Sequence, residues 1–452
     1  MSWISNIVDK FGFGLNKYYA NTLLQVGNIP IPYDFTKTWA IETAFAKNPD
    51  VYAIIAQMAN KSASIPFFIK KIQDESSLKN YYSTRQFITK KSLKYKAKAF
   101  NDEYLPLPLA QPNSLYKWKH FMQLFATYLN TTGDCFIYRQ KNELEEIVGY
   151  YVLPSHYMQI YVKNKTAQLE QESPILGYDL IFKTGENIPF AADEVIHVKL
   201  PNPEFGLNGE NLYGFSPLKA AYYNVENVIQ ANEHLYKMFK SSGAFGFIFA
   251  KGETLDPNQA EQFTQRIKEM DASKDKMARI SGMSTEIGFQ RVALSNKDMQ
   301  PWDSLNFDRK TICNVLGWRD ELLNNDGKSS LGGSNENAEA RKSVLLDTIM
   351  PQMELLEEEL NEDFKTFKGY ENTKFIFDVT EMPELQDDIN QIVEWANKSP
   401  ITTNEFRELL NYEPLDNDVS DKILIPIGKM TLDELEARGL DIENLGNEPN
   451  NA

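Results

Sequence analysis

Two cysteines, four histidines and one Gly-Lys-Ser triplet are the residues in this chain whose types could do chemistry. Cysteines serve as disulfide partners, metal ligands or activated nucleophiles. Cys135 and Cys313 are far apart among apolar neighbours, which excludes a disulfide framework and a cysteine-based metal site. His120, His156, His197 and His234 are scattered with no pair at ligand spacing, so each reads as a structural or surface histidine. Ser155 beside His156 does not read as a nucleophile and base, because neighbouring strand residues point to opposite faces. Gly327-Lys328-Ser329 invites a phosphate-cradling reading. That loop requires a glycine where Leu322 stands and a strand before it, and the preceding residues look helical. No catalytic, cofactor or metal site is expected.

Charge narrows the classes further. The net charge is -16 and the pI is near 4.9, whereas a grip on nucleic-acid phosphates needs clustered Lys and Arg. The one basic window, Arg85, Lys90, Lys91, Lys94, Lys96 and Lys98, has few aromatics interleaved and reads as a solvated loop. At 452 residues the chain exceeds the size of a single core, so two or more structural regions are expected. With no bilayer-spanning apolar run and no signal pattern at Met1, a soluble protein made in a reducing cytoplasm is the expectation.

The elements that position these residues are organised around Glu194 to Gly243, which reads as strand, loop and long helix. Ser216 is expected as N-cap and Pro217 as the first helical residue. Leu218, Ala221, Tyr222, Val225, Val228, Ile229 and Leu235 then recur at helical spacing, making a rod of roughly 25 residues and on the order of 37 Å. Upstream, Val51, Ile54, Ile55 and Met58 mark a helix followed by a strand at Ile65 to Ile69. Asn113 is expected to cap a helix with Trp118, Phe121, Leu124, Phe125 and Leu129 buried, ended by Gly133 before a strand at Cys135 to Tyr138. Short strands fill Ile147 to Phe182. Downstream, strands at Ala244 to Ala250 and Thr285 to Leu294 enclose a helix at Pro257 to Met270, and Ser304 to Gly317 forms a second apolar-striped helix. Asn324 to Asn337 reads as a flexible loop. Val344, Leu345, Ile349, Met353, Leu356 and Leu360 give the core face of a long helix, which Pro351 should kink. A strand at Lys374 to Asp378 and a capping box at Thr402 and Glu405, with Phe406, Leu409 and Leu410 buried behind it, follow.

Asp193-Glu194-Val195-Ile196-His197 and Leu212-Tyr213-Gly214-Phe215-Ser216-Pro217-Leu218 resemble a motif of the phage portal proteins of the HK97-type (lambdoid) family. A Gln-Pro-Asn turn at 111–113 and the C-terminal segment from Ile401 to Asp418 resemble the same family, and the likeness spans roughly Asn48 to Asp418. Gly133-Asp134-Cys135-Phe136 stands where the family has a Gly-Asn-Ala-Tyr type of strand, a mild departure. The resemblance implies an α+β portal fold with a sheet-containing wing, a long helical stem, a small α/β clip and a helical C-terminal crown. Its expected parts are an N-terminal arm over 1–47, wing over 48–215, first stem helix over 216–243 and clip over 244–298. A second stem helix over 299–317, a tunnel-loop region over 318–337, a long kinked helix and second part of the wing over 338–382, the crown over 383–418 and a tail over 419–452 complete it.

Function follows as an implication of the same resemblance. The chain would form a ring, a dodecamer in the family, at one capsid vertex of a tailed phage. It would meet the terminase large subunit, a head-tail connector and the major capsid or scaffold protein, with double-stranded DNA passing non-specifically through the channel and no membrane involved. Gly327, Lys328, Ser329, Ser330, Gly332 and Gly333 would form the loop that lines the tunnel. Leu218, Val225, Ile229 and Leu235 would pack the stem. Another virion protein, capsid or connector, is the alternative, and an enzyme stands further off.

Overall fold

The structure, a computed structural model, describes residues 29–31, 35–84, 90–163, 174–204, 209–240, 246–250, 258, 261–262, 265, 287–291, 301–323, 333–379, 382–385, 401–409, 415, 420, 423–425 and 430–431. It is of the α+β class, with helices and small antiparallel sheets, and divides into the compact units Met1–Asp378 and Val379–Ala452. The division falls a few residues before the boundary expected at 382.

Among the described residues, three sheets of three or more strands and one two-stranded sheet build the first unit. In one, Asp134–Lys141 lies between Ile147–Leu153 and Val195–Lys199; a second orders Ile29–Pro30, Met158–Val162, Ile175–Ile181 and Asn187–Ala191. The third closes the chain on itself, since Thr373–Phe377 pairs with Phe67–Ile72, matching Phe375 to Ile69. Strand alternation sends Phe67, Phe375 and Phe377 to one face, where their rings meet each other and the ring of Trp118. The other face carries Ile376 against Tyr81 and Phe100. Two helices, Glu75–Thr84 and Lys90–Ala99, supply that cover. The basic window is therefore partly a helix, not a loop: Tyr95 and Ala99 recur at helical spacing and give it an apolar side, a signal outweighed in the sequence by its lysines.

Pro49–Ser62 and Trp118–Thr132 pack side by side, with Val51, Ile54, Ile55, Met58, Phe121, Phe125 and Leu129 fully buried. Asn113 does not cap the second helix. Its Oδ1 accepts from Leu115 N–H (2.8 Å) and Tyr116 N–H (3.0 Å), forming a turn, and the helix starts later at Trp118. That turn runs along the outer strand Ile147–Leu153. Tyr150 N–H donates to the Pro112 carbonyl (2.7 Å), Asn113 Nδ2 donates to the Tyr150 carbonyl (2.7 Å), and Val152 N–H donates to the Tyr116 hydroxyl (3.0 Å).

The helix expected as one rod from 216 to 243 is two, Pro217–Ala220 and Tyr222–Lys240, with a break at Ala221 (φ -97°, ψ 16°). Tyr222–Lys240 packs against Pro301–Leu316, where Asn224 Nδ2 donates to a buried Asp308 at 2.7 Å. Gly246–Ala250 pairs with Ile287–Arg291, and the expected helix between them lies largely outside the described residues. In the long helix, Gly333–Ser343 passes through a π-helical stretch, Val344–Ile349, into Met350–Phe364. Pro351 is the second residue of the last segment. The wider π turn ahead of it is the device that receives a residue with no N–H and a ring directed at the carbonyl four residues back.

In the second unit Ile401–Thr402, Ile423–Ile425 and Met430–Thr431 form a three-stranded sheet beside the helix Thr403–Leu409, so the region expected to be helical contains strands as well. Its capping box is reciprocal: Glu405 N–H donates to Thr402 Oγ1 (3.0 Å) and Thr402 N–H to a Glu405 carboxylate oxygen (2.9 Å). Phe406 is half-buried; the side chain of Leu409 and all of Leu410 lie outside the described residues.

Candidate functional site

The residues that carry the sequence motif converge on one buried carboxylate. Asp134 opens its strand directly after Gly133, which ends the Trp118–Thr132 helix in the left-handed region (φ +78°). Antiparallel pairing brings in Val195–Lys199, placing His197 beside it. His197 Nε2 donates to Asp134 Oδ1 at 2.7 Å, and its ring stacks on Phe136 at 4.2 Å. Gly214 N–H donates to the same oxygen at 2.6 Å. Lys37, on the short helix Phe35–Trp39, forms an ion pair with Oδ2 and lies 4.2 Å from the centre of the Tyr213 ring. The Lys37 and Asp134 side chains are 2% and 0% exposed.

Burial by itself raises the Asp134 carboxyl, but the Lys37 ammonium and the His197 hydrogen bond outweigh it and hold Asp134 below the usual carboxylate range. Burial also holds the His197 imidazole down against the pull of Asp134, so histidine is neutral and the pair Lys37 and Asp134 balances its own charge. Lys199, likewise lowered by burial, donates to the carbonyls of Asn211 and Leu212, both at 3.0 Å, and so ties down the loop that returns to Gly214.

Backbones meet without side chains at this point. A Cβ on Gly214 would lie 2.0 Å from the Gly133 carbonyl oxygen, and one on Gly133 would lie 2.4 Å from that of Phe215. Ser216 follows, and its hydroxyl donates to the Thr131 carbonyl (2.6 Å) instead of capping the next helix. The expected N-cap is thus a cross-brace between two helices, while Pro217 does open the helix. A second joint lies at Val225, beyond the break in the helix. Asn48 Oδ1 accepts from Asp50 N–H (3.0 Å) and Val51 N–H (3.1 Å), and its Nδ2 donates to the Val225 carbonyl (3.1 Å).

The other residues singled out in the sequence are dispersed. Leu218, Val225 and Ile229 are buried, whereas Leu235 is half-buried. Gly327, Lys328, Ser329, Ser330 and Gly332 lie outside the described residues, and Gly333 begins a helix. Ser155 and His156 occupy a 3-10 turn, not neighbouring strand positions. Burial pushes the His156 imidazole down to about 4. Burial likewise raises both thiols, that of Cys313 to about 12, so neither is poised as a nucleophile. Among the described residues no group of His, Cys, Asp and Glu could hold a metal ion, and no helix is long and apolar enough to cross a membrane. Sequence reasoning missed Lys37 and the central role of Asp134. A lysine in the largely apolar run around Trp39 and an acid where the resembled family has Asn were the two available signals.

The buried, charge-balanced knot fastens sheet, helix and loop together, and the sequence motif serves that shape. The chain belongs to the phage portal protein family, whose model matches residues 49–411, and that family is structural, not enzymatic. Its relatives include the portal protein of Escherichia phage T5, 23% identical over 320 residues that span 70% of this chain and 72% of that protein. The fold is similar to that of a chain in the neck of an empty GTA particle, with a TM-score of 0.56 at 16% identity over 89% of this chain and 100% of that one. A chain of the virion of a native gene transfer agent particle gives 0.55 at 17% identity, over 88% and 99%.

Proposed function

We propose that this chain assembles into a closed ring, a dodecamer, at one vertex of a phage head. Double-stranded DNA passes through the ring during packaging and ejection. The terminase large subunit docks on it while the head fills and a head-tail connector afterwards, with the major capsid or scaffold protein around it. Assembly takes place in the host cytoplasm. The observation that carries this reading is the family match over residues 49–411, which includes Asp134, His197 and Gly214 of the knot. In this reading the helices Tyr222–Lys240 and Pro301–Leu316 are the stem, Gly246–Ala250 and Ile287–Arg291 belong to the clip, and the sheets before residue 215 form the wing. The segment Gly327 to Gly333, with Lys328 as its cation, faces the DNA. At a net -16 per copy the tunnel repels phosphates, and low adhesion suits a conduit.

Native mass measurement and negative-stain images of the purified chain test the ring, which should appear near twelve times 51.9 kDa. Deleting Gly327 to Gly333 should leave rings intact and reduce packaging or genome retention. Packaging and retention at the unaltered level in that deletion would remove the loop from the mechanism.

A further inference from the structure

The charge of this chain is unevenly spread. From 75 to 98 Glu75 is the single acid among a run of lysines and Arg85, in a chain of net -16. The two helices of that segment turn their aromatic side inward onto Ile376 and leave Lys79, Lys94 and Lys98 exposed. The opposite kind of surface also exists. Between the strands Asp134–Lys141 and Ile147–Leu153, the turn Asn142 to Glu146 presents Glu143, Glu145 and Glu146 around Leu144, which is 77% exposed.

That turn is rigid. The Asn142 carboxamide oxygen accepts from the N–H groups of Leu144 and Glu146, both at 2.9 Å, and its Nδ2 donates to the Glu146 carboxylate at 2.8 Å. Glu145 adopts a left-handed conformation (φ 61°), which costs energy in a residue with a side chain. A fixed, strained acidic turn with an exposed leucine at its tip is a poor solution for a surface facing only water.

We propose that the cationic surface of Lys79, Lys94 and Lys98 is a docking surface for a second copy of this chain, and that its occupant is the neighbour's Glu143–Glu146 turn. The proposal rests on the ring reading above. Ring closure by rotation joins two different surfaces of the same chain head to tail, so each copy must carry both halves of the contact. The two surfaces match in sign, and lysine stems give Leu144 an aliphatic bed while their ammonium groups reach the glutamates. Nucleic acid is the less favoured occupant, because the rest of the chain repels phosphates more strongly than the net charge implies.

Charge exchange tests it. Lys94→Glu with Lys98→Glu should raise the concentration at which rings half-assemble by about tenfold, and Glu143→Lys with Glu145→Lys should do the same. Combining all four should bring the midpoint back to within about threefold of the unaltered chain, because the reversed signs match again. Unchanged thermal melting of dilute protein shows that each variant folds, as its sites are exposed. Unaltered assembly of either reversed pair, or failure of the combined variant to recover, overturns the contact. So does tight binding of a labelled DNA duplex that is lost on Lys94→Glu with Lys98→Glu while assembly is kept. Absence of rings from the unaltered chain removes the ring reading itself, a result distinct from variants that all form rings.

Discussion

Asp134→Asn alters the knot by one atom's identity and keeps an acceptor for Gly214 N–H, so it isolates the charge. The carboxylate is fully buried and receives Lys37, His197 at 2.7 Å and Gly214 at 2.6 Å. Without it, the Lys37 ammonium, 2% exposed, keeps the Gly214 carbonyl at 3.5 Å and the Tyr213 ring, and faces the NH2 group of the new amide, which cannot accept from it. Breaking a buried ion pair from one side costs about 3–5 kcal/mol, and the contacts that remain return about 1 kcal/mol. The expected loss is therefore about 2–4 kcal/mol, read as a lower urea midpoint by tryptophan fluorescence. Lys37→Met added to Asp134→Asn removes the stranded charge and should recover at least half of it. A single variant within about 0.5 kcal/mol of the unaltered chain, or a double variant no better than the single, refutes the reasoning. The pH dependence carries the same signature. Asp134 titrates lower folded than unfolded, so its stabilisation is present above about pH 4 and is lost as pH falls through its folded value, an acid limb that Asp134→Asn should lack.

Gly214→Ala should destabilise by more than about 3 kcal/mol, seen in the same urea titration, because its Cβ meets backbone at 2.0 Å and no side chain can yield. Val225→Asp should abolish rings by native mass measurement, since the residue is fully buried, at 0% exposure, and an unpaired charge there has no partner; normal rings would show that this face tolerates charge. His156, held near 4 by burial, is neutral in the fold, so stability should decline as pH falls from about 6.5 and level off near 4. The expected loss is on the order of 2 kcal/mol after allowance for solvent screening, and His156→Phe should flatten that part of the profile.

Periodic apolar spacing was the most readable feature. Every one of Val344, Leu345, Ile349, Met353, Leu356 and Leu360 is buried, because helical repeat and burial are set by the same local geometry. Caps divided by context. Thr402 and Glu405 form their box within a single turn, whereas Ser216 and Asn113 find partners in other elements, Thr131 and Tyr150, that no local pattern reveals. The knot was half legible. Gly133, His197 and Gly214 lie in segments that the resemblance singled out, but Lys37 is 97 positions from Asp134, and a buried long-range ion pair leaves no periodic trace. The π-helical stretch before Pro351 was invisible for a similar reason: one residue of extra width changes no apolar repeat enough to be noticed.

The turn that borders the strand Ile147–Leu153 has a consequence for crowding. Copies of a chain that must gather many at a time are locally concentrated, and a bare strand border would let them stick together in any number. Here the Pro112 carbonyl, the Asn113 amide and the Tyr116 hydroxyl already occupy the main-chain groups of Tyr150 and Val152. Open-ended accretion along this border is thereby quenched, and self-association at this sheet is left to side chains, which can count partners where a strand edge cannot.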